Sequence, residues 1–264
     1  MNIGKKFRQV LYKTLSFEQY MSVLSRFYFF FYRSGMLKNN PKFQYPYFLK
    51  NIIKKGNVVI DIGANLGYYT CLFAACVGSN GKIYAIEPVE PVLNILKKNT
   101  KKYPWVEILP YALGRENKII QLGNDSLKSK GYIASGSHFV MDSSNPEAVE
   151  NPETVFRAEM RKGSELFSGF VKIDFIKCDV EGYEIVIIPE IKDVIKQFQP
   201  TVLIETGKEN RLKIISIMTE MGYEALVVEN KKLRPLLPED SADILFVHHD
   251  KMTLAEPYFQ LKKL

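Results

Sequence analysis

Residues 57–77 read NVVIDIGANLGYYTCLFAACV, and the fold turns on how this stretch is parsed. Residues 57–62 are a short apolar run rich in β-branched side chains, the pattern of a strand buried on both faces. Residues 66–77 read as a helix that opens straight after a glycine-rich turn. A strand that passes through such a turn into a helix begins a parallel α/β crossover.

The flanking sequence repeats this rhythm. Residues 82–87 (KIYAIE) form a second apolar strand, 91–103 an amphipathic helix with Pro91 near its start, and 106–113 a third strand. Further strands are predicted at 118–122, 154–161, 175–179 (FIKCD), 201–205 (TVLIE), 223–228 and 244–247, with helices at 184–198 and 209–221. Pro189 is expected either to kink the first of these helices or to start a second segment. The α/β fold expected is an open, mostly parallel, Rossmann-like sheet with helices on both faces. Residues 123–152 break the alternation. They are polar, rich in Gly, Ser and Asn, and far longer than an ordinary connection, which marks a lid or a binding loop.

Composition narrows the function classes. The chain has 264 residues, 46% hydrophobic and 25% charged, which excludes a disordered chain and a coiled-coil rod. Cys71, Cys76 and Cys178 form no CxxC pair, so neither a disulfide framework nor a zinc knuckle is expected. The net charge of +7 is unevenly placed: residues 1–50 hold nine Lys/Arg and one acidic residue, while the other 214 hold 27 and 28. A near-neutral body argues against a phosphate-tracking groove, so no nucleic-acid partner is expected.

The basic balance belongs to an N-terminal helical arm (1–45), ahead of a catalytic domain (46–250) and a tail (251–264). A helix is predicted at 17–37, where Tyr20, Val23, Leu24, Phe27 and Phe31 make one apolar stripe. This helix either packs on its own domain or forms an interfacial or partner-docking surface, a homodimer contact included. In the membrane version Lys5, Lys6, Arg8 and Lys13 sit near anionic head groups. No run reads as a transmembrane helix or a signal peptide, so the expected compartment is the cytoplasm, with the inner membrane surface as its variant.

In an open α/β sheet, ligands bind beyond the carboxyl ends of the strands. Asp61, Gly63, Asn65 and Gly67 stand at the first such end, and Glu87 at the second, 26 residues after Asp61. Glycines admit close backbone approach, and amides at the following helix start can meet polar groups. An acidic side chain at the second strand end can accept hydrogen bonds from both hydroxyls of a ribose. A dinucleotide site prefers GxGxxG, whereas here Asp61 precedes the first Gly and Asn65 replaces the second. A carboxylate there opposes a pyrophosphate and suits a cationic ligand with an amino-acid end, such as S-adenosylmethionine.

At VVIDIGANLGYYT (58–70), IYAIEP (83–88), PYALG (110–114), FIKCDVEGYE (175–184) and VLIET (202–206) the chain resembles the FkbM-type methyltransferases. The resemblance implies an S-adenosylmethionine-dependent methyltransferase on a class I fold, usually acting on a hydroxyl. It places Asp61, Gly63, Asn65 and Gly67 at the methionine end of the cofactor, Glu87 on the ribose and Ala112 near the adenine. Asp179 would face both cofactor and acceptor, with Glu181 and Gly182 extending that motif.

A hydroxyl acceptor needs its proton removed, and Asp179, Glu181 and His138 are the candidate bases. Asp179 and Glu181 are also a candidate divalent-metal pair, though no His accompanies them and no metal is expected. Each position has a plainer reading: Asp61 as a helix cap, Glu181 and Gly182 as a turn, Glu205 as structural, His138 as solvated, His248 and His249 as surface residues, Cys178 as packing. The acceptor expected is a small molecule or glycan: a hydroxyl on a sugar, glycan, glycolipid or secondary metabolite. The alternatives are a nicotinamide-dependent oxidoreductase and a non-catalytic module of the same fold.

Overall fold

Two helices, not one, precede the body. The computed structural model describes residues 3–142, 145, 148, 152–240 and 243–259. Parts of the arm (1–2), of the expected lid (143–144, 146–147, 149–151) and of the tail (260–264) lie outside the described residues. α1 (Ile3–Thr14) and α2 (Phe17–Arg33) are separated by Ser16, which caps α2. The Ser16 hydroxyl accepts from Gln19 N, and the Gln19 side chain accepts in return from Ser16 N, a reciprocal capping box. α2 stops four residues short of the predicted 37, because the chain turns at Ser34 and Gly35 takes a φ of +78°. Tyr20 and Met21 of α2 are fully buried against the body.

After α3 (Gln44–Phe48) the alternation begins: β1 (Val58–Ile62), α4 (Tyr68–Val77), β2 (Lys82–Ile86), α5 (Glu90–Thr100) and β3 (Val106–Leu109). The predicted strand 106–113 is split by Pro110. Proline has no N–H to give a ladder, so the chain leaves the sheet there and β4 (Tyr111–Leu113) joins another one. β5 (Lys118–Asn124), α6 (Ser126–Lys130), β6 (Phe139–Val140), β7 (Thr154–Arg161) and α7 (Gly163–Leu166) follow. β4, β7, β5 and β6 form a separate four-stranded sheet. The expected lid is thus partly ordinary structure, with a helical turn and a strand inside it. Asn124 pins it by donating to Ala134 O and accepting from Ser126 N.

The main sheet resumes with β8 (Phe175–Cys178), α8 (Glu184–Glu190), α9 (Lys192–Phe198), β9 (Thr201–Ile204), α10 (Lys208–Glu220), β10 (Tyr223–Glu229), β11 (Lys232–Pro235) and β12 (Ile244–His248). Pro189 does not start the second segment: it lies inside α8, and the helix breaks at Ile191, so that α9 begins at Lys192. The strand order is β11-β10-β12-β9-β8-β1-β2-β3, with β12 antiparallel to both neighbours. The chain runs outward from β1 to β3 on one side and from β8 to β9 on the other. The order therefore reverses between β1 and β8, which is where an open sheet leaves a crevice.

Pleating sends alternate residues to opposite cores. Ile60, Ile62, Ile176 and Cys178 join one, and Val59, Phe175 and Leu203 the other. Cys178 is packing, as its plainer reading had it. His248 is a correction: it is 5% exposed and packed against Tyr223, while His249 is exposed. β12 runs opposite to β9, so these histidines lie at the far end of the sheet from the crevice.

Candidate active site

Each strand end hands its backbone to the next. Gly63 N and Ala64 N donate to Ile86 O, Glu87 N to Leu109 O, Asp179 N to Ile62 O, and Glu205 N to Cys178 O. These bonds hold the turns after β1, β2, β8 and β9 side by side. Above them lies a cavity of about 240 Å³ between the two sheets. Gly63, Asn65, Glu87, Asp179 and Glu181 line it from the main-sheet side, and Ala112, on β4, and His138 from the second sheet's side.

Gly63 is required where it stands. Its φ is +75°, and a Cβ there would lie 1.9 Å from Asp179 O. Glu87 is fixed by two backbone donors, Asn65 N and Val89 N, each at 2.9 Å. Each carboxylate oxygen keeps a further lone pair, so the group can still accept from hydroxyls in the cavity. Burial pushes its carboxyl up to about 7, against the pull of those two amides.

Two predicted cofactor residues do not reach the cavity wall. Asp61 is fully buried behind it; Thr70 Oγ1 donates to Asp61 Oδ2 at 2.6 Å, and Lys177 Nζ stands 3.8 Å from Oδ1. Gly67 is the left-handed start of α4, and its Cβ position would meet Leu96 Cδ1 at 2.8 Å. Asp61 therefore organises the floor, and Gly67 lets α4 pack on α5. The charge argument made for Asp61 passes to Asp179 and Glu181 on the cavity wall, which Glu87 and Glu205, with their carboxyls pushed up, also line.

Lys177 is the residue the sequence reading missed. It is 4% exposed and lies between Asp61 and Asp179, donating to Asp179 Oδ2 at 2.9 Å. Burial alone would lower its ammonium, but the carboxylates of Asp179 and Asp61 outweigh that and hold it charged. The signal was present: β1 (VVIDI) and β8 (FIKC) are apolar runs that each carry one charge, of opposite sign. In the parallel register those two residues face each other.

Glu205 is the second addition. The charge of neighbouring Asp179, then burial, push its carboxyl well up. Asp179, Glu181 and Glu205 also line a smaller cavity of about 130 Å³ with Thr206, Gly207 and Asp243. These acidic groups therefore stand in a wall common to two spaces. Glu181 and Gly182 form a turn, with Glu181 at a φ of +53°, and Glu184 ties it to α8 by accepting from Val180 N at 2.7 Å.

His138 is not solvated. Its Nδ1 contacts Ser135 O at 2.9 Å, its ring packs on Phe156, and its buried Nε2 has no hydrogen-bond partner among the described residues. Burial pushes the imidazole down to about 4, so it is neutral at pH 7. With Nδ1–H given to Ser135 O, Nε2 carries the lone pair. Among the described residues, one three-ligand metal group exists, His248–His249–Asp250, and it lies at the opposite end of the sheet.

The walls fit a ligand with a ribose and a positive charge: Glu87 can accept from hydroxyls, Gly63 admits close approach, and the charged groups lining the space are acidic. Residues 61–225 match the Methyltransferase FkbM domain family, and the chain belongs to it. The cofactor of this family of transferases is S-adenosylmethionine. An 80-residue stretch is 35% identical to a protein-L-isoaspartate O-methyltransferase of Methanosarcina mazei, covering 30% of this chain and 29% of that one. The chain thus matches less than a third of this relative's length. The crystal structure of methyltransferase FkbM from Methylobacillus flagellatus is similar at a TM-score of 0.46 and 15% identity, over 72% of this chain and 42% of that one. Aeropyrum pernix fibrillarin, crystallised with bound S-adenosyl-L-methionine, is similar at a TM-score of 0.41 and 12% identity, over 74% and 67% of the two chains.

Proposed function

We propose that the chain is an S-adenosylmethionine-dependent O-methyltransferase acting on a hydroxyl of a sugar, glycan, glycolipid or secondary metabolite. The observation that carries this reading is the acidic wall shared by the two cavities, with Asp179 hydrogen-bonded to Lys177. In this reading Glu87 accepts from the ribose hydroxyls, Gly63 and Asn65 border the methionine end, and Ala112 borders the adenine. The bound cofactor supplies a methyl group already activated by its positive sulfur. The acceptor hydroxyl comes from the side of the smaller cavity, along the acidic wall that the two share.

There Asp179 takes the hydroxyl proton as the oxygen attacks. Lys177 keeps this carboxylate in place, and Glu205, whose carboxyl is pushed up by the charge of Asp179, stands beside it. Glu181 lies on the same wall and aligns the acceptor. His138, neutral and with its lone pair on Nε2, can accept a hydrogen bond but is a poor base at its depressed basicity. Holding the two reactants in line is worth on the order of 7–11 kcal/mol at best.

The test is transfer of labelled methyl from S-adenosylmethionine to a panel of free sugars, sugar nucleotides and lipid-linked glycans. Asp179→Asn is expected to lose turnover by about a hundredfold or more, the range of general-base loss, while cofactor affinity changes little. Label recovered on nitrogen or carbon, or full turnover by the variant, refutes the reading.

A further inference from the structure

We infer that α1 and α2 together form a docking face for an anionic lipid surface. The inference rests on the arm alone and is independent of the methyl-transfer reading. Each helix is committed on one side. From α1, Lys5 Nζ donates to Ser129 O, Gln9 Nε2 to Lys130 O, and Arg8 lies over the Tyr132 ring. From α2, Tyr20 and Met21 are buried, and Tyr28 lies against Tyr68 with ring centres 4.1 Å apart.

The other side of each helix carries the same pattern. In α1 it is Lys6, Phe7, Val10 and Lys13; in α2 it is Arg26, Phe27, Phe30 and Arg33. Both sets run i, i+1, i+4, i+7, a cation, a phenyl ring, an apolar side chain and a cation along one helical face. All eight are exposed, Phe30 by 63% and Val10 by 59%. The two sets are joined where Phe7 and Phe27 meet edge to face at 5.9 Å. α1 contains no acidic residue, and Glu18, the one in α2, is held by Lys98 at 3.1 Å and by Asn94.

Exposed phenyl rings framed by cations with no acid among them are the chemistry of a helix lying in a lipid interface. The cations meet anionic head groups, and the rings enter the acyl boundary. A face meant for a protein partner of mixed charge would carry acids among these positions. The consequence reaches the cavity. α1 pins residues 129–132 on its inner side, and Ser135, Gly136 and His138, a few residues on, line the cavity.

The experiment is co-sedimentation of the full chain with phosphatidylcholine vesicles, with and without phosphatidylglycerol, at low and high salt. Binding is expected with phosphatidylglycerol alone and is expected to weaken with salt. It should fall about tenfold or more in a Lys6→Glu, Lys13→Glu, Arg26→Glu, Arg33→Glu variant and also in a Val10→Ser, Phe30→Ser variant. Unchanged affinity for S-adenosylmethionine reports that each variant is folded, and the second variant serves if the first fails to fold. No binding to phosphatidylglycerol, or binding untouched by either variant, overturns the inference. So does a concentration-dependent dimer that Phe30→Ser abolishes without vesicle binding, which would give the face to a second copy. Loss in the charge variant alone overturns insertion of the rings.

Discussion

Replacing Lys177 by Met removes a buried ammonium and leaves its partners behind. Asp61 suffers most. It is fully buried, Thr70 serves one of its oxygens, and the other has Lys177 at 3.8 Å and no hydrogen-bond partner among the described residues. Breaking a buried pair by removing one member costs about 3–5 kcal/mol. Against a typical total of 5–15 kcal/mol that is a large share, and it corresponds to a fall in Tm of roughly 10 °C. The loss is expected to depend on pH. Burial already raises the Asp61 carboxyl, and loss of the ammonium raises it further. The folded variant then binds a proton that the unfolded chain releases, so its stability recovers as pH falls. Urea unfolding at pH 8 and pH 5.5 should show a deficit that is larger at the higher pH. Adding Asp61→Asn should return part of it, because the amide needs no counter-charge. A loss below about 1 kcal/mol, or an equal loss at both pH values, would refute the view that Lys177 exists to neutralise Asp61 and Asp179.

Four shorter predictions follow from the same geometry. Glu87→Gln should weaken S-adenosylmethionine binding at least tenfold by calorimetry, because a donor amide would meet one of the two backbone N–H groups now at 2.9 Å. Glu87 is raised from 4.5 to about 7, so its own contribution to stability should be full below 4.5 and be lost as pH rises through 7, by up to roughly 3 kcal/mol, seen as the difference between wild-type and Glu87→Gln thermal melts. Gly63→Ala should destabilise by on the order of 3 kcal/mol or more in urea titrations, since the added Cβ would sit 1.9 Å from Asp179 O at a φ of +75°. The wild-type rate profile should show no break near pH 6.5 that His138→Gln removes, because burial holds that imidazole near 4.

How much of this was legible beforehand varies with the kind of signal. The main sheet could be read because buried parallel strands are apolar runs with β-branched side chains, and VVIDI, KIYAI and TVLI are all of that kind. The second sheet could not, because β5 and β7 look like any other strands and sequence alone does not say which sheet a strand joins. Pro110 was the available clue, a residue without an N–H inside a predicted strand. Gly63, Asn65, Glu87, Ala112, Asp179, Glu181 and His138 converge on one cavity although they come from distant segments, since strand ends gather side chains that the sequence separates. Asp61 stands one step of pleat from the lining: its neighbour Ile62, whose side chain takes the opposite face of β1, reaches the cavity wall. Lys177 escaped because the matching of two lone charges requires knowing that β1 and β8 are neighbours.

The position of β12 also bears on how the chain reaches its native state. β9 and β10 do not touch; β12 lies between them and pairs with both. A nascent chain that has not yet delivered residues 244–248 therefore holds β9 as an open edge and the β10–β11 hairpin without a strand to join it to the sheet. Contacts of that range in sequence form late and slowly, and an unpaired edge invites aggregation meanwhile. Shortening the protein to a point before residue 244 is thus predicted to give insoluble material rather than a smaller folded domain, even though every residue lining the main cavity would still be present.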